Sequence, residues 1–150
     1  MAGPITGCTM NETQSWRDYV TARLHPNIIG VSPLRGEPPP EKEGVYSAHD
    51  YESIIRTPKA IAAKNHYDTH NCDLVLAYLP LEHNQKRPSY GTVFELGWAT
   101  GVQTPTILVT DDPMILEHPL FVAKVNWILD NFDDAIHVIN TLFDVYVGNE

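Results

Sequence analysis

The chain has 150 residues, 43% hydrophobic and 19% charged, a composition that suits one soluble domain with a full core. Its formal net charge is −9 and it has no basic run, which argues against a nucleic-acid binder that grips phosphate backbone. No stretch approaches the ~20 apolar residues of a membrane span, and "MAGPITG" lacks the basic flank and apolar core of a secretory leader. A cytoplasmic protein without membrane contact is therefore expected. Cys8 and Cys72 match no metal or redox spacing and are expected as reduced, buried thiols.

In chain order, residues 12–24 ("ETQSWRDYVTARL") place Trp16, Tyr19, Val20 and Leu24 at helical spacing, with Thr9 or Asn11 as cap. "NIIGVS" (27–32) reads as a short buried strand. "PLRGEPPPEKEGVYSAHDYES" (33–53) is long for an idle connection, so it is expected to have a functional role. Its Tyr46, His49 and Tyr51 are candidates to stack on a flat ring. Residues 53–71 read as helical on both sides of Pro58. "DLVLAYL" (73–79) and "PTILVT" (105–110) are continuous apolar strands, and "NWIL" (126–129) is a weaker one. Helices are expected over 91–102 and 133–147.

Apolar strands alternating with helices predict a single α/β domain over 1–150, with a parallel sheet of about five strands and helices on both faces. A first strand should precede Ala2-Gly3-Pro4; it is either very short or in part missing from this sequence. Ligands of such sheets sit beyond the carboxyl ends of the strands, at loops beginning here near residues 3, 32, 80 and 110.

"PSYGTVFELGWATG" (88–101) carries one acid, Glu95, among apolar neighbours. Gly91 and Thr92 open the helix, and its positive end would favour an ionised carboxylate. Such a group can attack a sugar's anomeric carbon, form a covalent glycosyl intermediate and, after a second attack, restore the configuration. A solvated acid placed at a helix start for stability is the bland alternative.

The run "CDLVLAYL", then "SYGTVFELGWATG", then "PTILVT", preceded by "AGPITG", "WRDYV" and "GVSPLRGE", resembles the nucleoside 2-deoxyribosyltransferase family. The resemblance implies a flavodoxin-like, Rossmann-like fold and an oligomer of two or more copies that complete one another's sites. It implies transfer of 2-deoxyribose between nucleobases, as in nucleotide salvage, from a small nucleoside or nucleotide to a free base, without metal or redox cofactor. Glu95 matches the family nucleophile. Ser89 stands where family transferases carry an Asp for the sugar 5′-hydroxyl; related N-glycosidases of nucleoside 5′-monophosphates have Ser there. Ser89, Arg87 and the amides of Gly91 and Thr92 would then form a small anion site. Asn65 stands where the family often has an Asp that handles the leaving base. Asp68, one helical turn on, is the candidate to replace it. Gly3, Pro4 and Arg35 match positions that approach the ligand, and Arg17 matches one expected to be structural. The family's opening Tyr has no counterpart.

His66 and His70 have two-ligand spacing without a third ligand, so no metal is expected. His118 and Asn126 are candidates to reach a neighbouring site. Hydrolysis of monophosphates through the same Glu, and a non-catalytic nucleotide-binding module, remain alternatives to transfer.

Overall fold

A computed structural model describes residues 1–36, 44–46 and 54–144. In chain order they form α1 (Met10–Thr21), α2 (Pro58–Asn71), β1 (Val75–Tyr78), α3 (Leu81–Lys86), α4 (Tyr90–Gly101), β2 (Thr106–Val109), α5 (Pro113–Leu116), α6 (Pro119–Lys124), β3 (Trp127–Leu129) and α7 (Phe132–Phe143). The strands lie parallel in the order β1-β2-β3, with Val75 opposite Thr106 and Ile107 opposite Trp127.

Alternation along the strands sorts the core into two layers. Leu76, Ile107 and Val109 face Trp16 and Val20 of α1 and Ala135, Ile136 and Ile139 of α7. Val75, Ala77 and Leu108 face Leu96 and Ala99 of α4. The sheet is therefore covered on both sides, as its apolar strands require.

Local signals explain most helix ends. Thr9 forms a capping box with Glu12 at the start of α1, as one of the two expected caps. Thr57 caps α2 and Pro58 occupies its first turn, so the helix begins at the proline and does not continue upstream of it. The short helices α5 and α6 follow the same logic, with Asp112-Pro113 and His118-Pro119 as cap and first residue. The far ends of the 91–102 and 105–110 expectations move inward by about one residue. The expected helix over 133–147 is seen as Phe132–Phe143, and residues beyond 144 lie outside the described set.

The described sheet has three strands, fewer than the five expected. Residues 27–32 are not a strand: they run without ladder bonds, and Ile29 is 84% exposed. An apolar run becomes a strand only where a neighbour offers a ladder. Here the adjacent segment meets β1 in a single parallel bridge, Ala2 to Ala77. Its hydrogen bond to residues 27–32 runs from the Met1 amino group to the Val31 carbonyl at 2.9 Å and forms no ladder.

Both thiols are free, Cys8 buried and Cys72 half-buried. Among the described residues no helix is long and apolar enough to cross a membrane.

Candidate active site

Glu95 is the sixth residue of α4, and the helix has no acid in its first turn. It is therefore a full turn deeper than a helix-start acid. Leu96 and Ala99 hold that stretch of α4 against β1 and β2, so the neighbouring Glu95 is kept half-buried at the sheet. Burial pushes its carboxyl up to about 7, while the Met1 amino group, Arg17 and Lys64 act in the opposite direction and Asp68 adds to the rise. The expectation that the helix field keeps this acid ionised is thus corrected. The dipole effect fades within the first turn, and desolvation outweighs it at this depth.

Glu95 lines a cleft of about 1280 Å³ together with Ala2, Arg35 and Asp68. The cleft does not lie beyond the carboxyl ends of the strands, where ligands of such sheets are expected: β1 lines it with Val75 and Leu76, its first two residues. It runs along the open edge of the sheet beside β1, from Asp73 to Leu76. A smaller depression of about 310 Å³ does lie at the carboxyl ends, lined by Tyr78, Asp111 and Asp130. Its acids Asp111, Asp130 and Asp133 are exposed. A half-buried acid whose pKa stands near neutrality marks a reactive position better than they do.

Across the cleft, Arg35 grips both oxygens of Asp68 at 2.6 Å, in the two-pronged geometry that guanidinium and carboxylate favour. This bond raises the Arg35 pKa. Lys64 of α2 donates to the Pro33 carbonyl and helps hold the 33–35 segment against the helix. Asn65 stands one turn before Asp68; its Oδ1 is buried without a hydrogen-bond partner, and its carbonyl accepts from Thr69 at 2.8 Å. The arrangement gives α2 an amide with a spare acceptor and an acid already committed to an arginine.

The proposed anion group sits higher on α4. Gly91 and Thr92 precede Glu95 by four and three residues and so share its side of the helix, about 6 and 4.5 Å along the axis. The hydroxyls of Ser89 and Thr92 are 2.8 Å apart, and Ser89 makes no side-chain bond to the helix backbone. Arg87 is exposed and lies beside the Gly7 turn, where a Cβ on Gly7 would be 3.7 Å from its Nη1. Gly3 and Pro4 are buried behind Ala2, and a Cβ on Gly3 would come within 2.7 Å of Trp16 Cζ2. Glu95, Asp68 and Arg35 thus share one cleft. Arg87, Ser89, Gly91 and Thr92 are not among the residues that line it.

The lesser candidates have local partners within the chain. The His66 and His70 rings stack at 3.8 Å, with Trp98 edge-on to His66, and no group of three or more metal-ligating side chains occurs among the described residues. His118 caps α6. Asn126 accepts from the Thr106 amide and hydroxyl and so ties the start of β2 to the start of β3. Tyr46 is half-buried, its backbone paired with Gly7 and Cys8; His49 and Tyr51 lie outside the described residues.

A family model described as nucleoside 2-deoxyribosyltransferase matches residues 1–138. The chain belongs to that family. The deoxyribosyltransferase match spans every element named above except the last turns of α7, with Glu95 and the cleft inside it. No curated protein and no solved structure matches the chain.

One residue was undervalued from sequence. Arg17, expected to be structural, is fully buried and makes no ion pair among the described residues. Its position four residues after Thr13 and three before Val20, both buried, was the available signal.

Proposed function

We propose that the protein moves 2-deoxyribose between nucleobases through a covalent glycosyl intermediate on Glu95. The observation that carries this reading is the half-buried Glu95 carboxyl, raised to about 7, at the wall of a cleft large enough for a nucleoside. Ionised, it attacks the anomeric carbon and the base departs; a second base then attacks the same carbon and frees the carboxylate. The departing base takes the electron pair of the glycosidic bond and is protonated from water or from Asp68, the acid of α2 that lines the cleft, since the Asn65 amide has no proton to give. Asp68 takes part only after Arg35 releases it.

The test is incubation with deoxyinosine and adenine, followed by chromatography. Deoxyadenosine and hypoxanthine are the expected products, and a deoxyribosyl adduct on Glu95 is expected by mass spectrometry. Absence of base release from every deoxynucleoside and deoxynucleotide tried would overturn the reading.

Hydrolysis of nucleoside 5′-monophosphates is the second reading. It is favoured by Ser89, whose hydroxyl bonds Thr92 and leaves the α4 amides uncapped. A 5′-phosphate carries close to two negative charges near neutral pH and would suit those amides. Preference for dCMP or dGMP over the free nucleosides, tenfold or more in kcat/KM, selects it. Ser89→Asp should then weaken monophosphate turnover far more than nucleoside turnover.

Assembly belongs to the same proposal. Tyr90, Val93 and Phe94 of α4 are 70%, 42% and 63% exposed, an apolar stripe that suits a partner copy. A homodimer or larger assembly is expected by light scattering at micromolar concentration; a monomer overturns it.

A further inference from the structure

We propose that Arg35 reads the base: its open two-donor edge binds nucleobases that present two neighbouring acceptor atoms, and so selects hypoxanthine, guanine and cytosine over adenine and thymine. The proposal rests on the glycosyl-transfer reading of Glu95 and names the class of base that the same cleft takes.

Arg35 and Asp68 line the same cleft as Glu95. Nη1 and Nη2 of Arg35 each donate to one Asp68 oxygen at 2.6 Å, and Nη1 also donates to the Ser32 carbonyl at 3.2 Å. These bonds use three of the five guanidinium donors. The two that remain, Nε–H and the outer Nη2–H, lie side by side on one edge of the plane and have no partner among the described residues. At 45% and 23% exposure the ion pair adds little to stability, so its main consequence is orientation: the plane is held and one fork stays open. Tyr67, the neighbour of Asp68 on α2, also lines the cleft and is 66% exposed, which leaves a ring for a flat ligand to lie on.

An open guanidinium fork takes a carboxylate, a phosphate or a neutral pair of acceptors, and the charges around it choose among them. Among the described side chains that line the cleft, Arg35 is the one cation, whereas Asp68, Asp73 and Glu95 are acids. Asp68 already answers the Arg35 charge, so a further anion would meet an excess of negative charge. A neutral acceptor pair suits the fork better. Hypoxanthine and guanine present O6 beside N7, the edge that arginine grips in DNA, and cytosine presents O2 beside N3. Adenine sets an amino group beside N7, and thymine separates its carbonyls by an N–H, so each would turn a donor toward a donor. The same acceptor atoms collect charge in the reaction. As a Glu95 oxygen bonds to the anomeric carbon, the carbon–nitrogen bond breaks, and its electron pair passes to the base and spreads over ring nitrogens and the carbonyl oxygen. The fork therefore holds the departing base more tightly than the bound one, which lowers the barrier. Asp68 keeps both oxygens on Arg35, so the base takes its proton from solvent, and the base that attacks next returns one.

The experiment measures binding of deoxyinosine and deoxyadenosine by calorimetry to the Glu95→Gln protein, so that turnover does not intervene. Deoxyinosine should bind about tenfold to a hundredfold more tightly. Adding Arg35→Met should weaken deoxyinosine by about that factor and leave deoxyadenosine within about threefold. Arg35→Lys keeps the charge without the fork and should behave like Arg35→Met. No measurable binding of deoxyinosine, equal binding of the two nucleosides, or a preference that survives in folded Arg35→Met overturns the proposal. Competition by inorganic phosphate that Arg35→Met abolishes would assign the fork to anions and also overturn it. If Arg35→Met does not fold, Asp68→Asn decides: an amide cannot accept the fork at both ends, so the preference should fall, and an unchanged preference overturns the proposal. Binding needs no chemistry, so it judges Arg35 independently. Absence of base release from every deoxynucleoside and deoxynucleotide would instead sink the transfer reading.

Discussion

On its β2 side, β1 is paired along its whole length, from Val75 with Thr106 to Tyr78 with Val109; on its other side a single bridge meets it at Ala77. The closed side is further knitted by Asn126 on Thr106 and by the Thr110 hydroxyl donating to the Leu79 carbonyl at 2.7 Å. The open side carries the cleft, the exposed Ile29, and an ion pair, Arg35 with Asp68, that bridges chain segments rather than strands. On the proposed function, stability and chemistry fall on opposite flanks of one strand. The closed flank has its backbone bonds satisfied by the ladder. The open flank leaves room for a ligand and keeps Glu95 in a setting that disfavours its charge.

If that division holds, the largest effect on activity belongs to the open flank. Glu95→Gln should lower turnover on the order of a thousandfold or more, roughly 4 kcal/mol, because an amide is a far weaker nucleophile. Circular dichroism should find it folded, and turnover near the wild-type rate would remove Glu95 from the mechanism. The largest effect on stability belongs to the closed flank. Leu108→Ala at the centre of β2, 0% exposed, should cost about 2–5 kcal/mol in denaturant unfolding. A loss under 1 kcal/mol would show that the sheet is not the stabilising body.

A third measurement joins the flanks through pH. The Glu95 carboxyl is raised in the fold, so the native state holds this proton more tightly than the unfolded chain does. Its contribution is therefore fully present below the unfolded value near 4.5 and is lost as pH rises to about 7. Glu95→Gln removes that loss. It should be more stable than wild type above pH 8, on the order of 1–3 kcal/mol, with the gain vanishing near pH 4. No gain at pH 8 would mean that the carboxylate is better solvated than its position implies. The smallest effect should be Arg35→Ala. As a pair in which Arg35 is 45% and Asp68 23% exposed, it should contribute about 0.2–1 kcal/mol to stability. A loss above 2 kcal/mol would make the open flank structural after all.

The residues themselves disclosed the α/β alternation, β1, β2, α4 and α7, because each is an apolar run or stripe whose period does not depend on distant contacts. They also disclosed Glu95 as the odd acid in an apolar helix. Residues 27–32 have the composition of a strand, yet a strand needs a ladder partner, and no local pattern says whether one is present. The short helices α3, α5 and α6 escaped because four to six residues carry no period; the Asp112-Pro113 and His118-Pro119 pairs were the readable trace. The electrostatics of Glu95 escaped for a different reason. Helix position can be counted along the chain, whereas burial depends on what the rest of the chain places above it.

Gly3 and Trp16 lie so close that a methyl group on the first would meet the ring of the second at 2.7 Å. Neither position can therefore vary alone. Alanine at 3 demands a smaller ring or none at 16, and shrinking residue 16 in turn strips the Arg17 guanidinium of the surface it rests on. Among related chains the two positions should change as a pair or not at all. A mutagenesis library that randomises the Ala2-Gly3-Pro4 turn with position 16 fixed should return glycine at position 3. One that frees both should recover new combinations, and with them altered shapes at the back of the cleft.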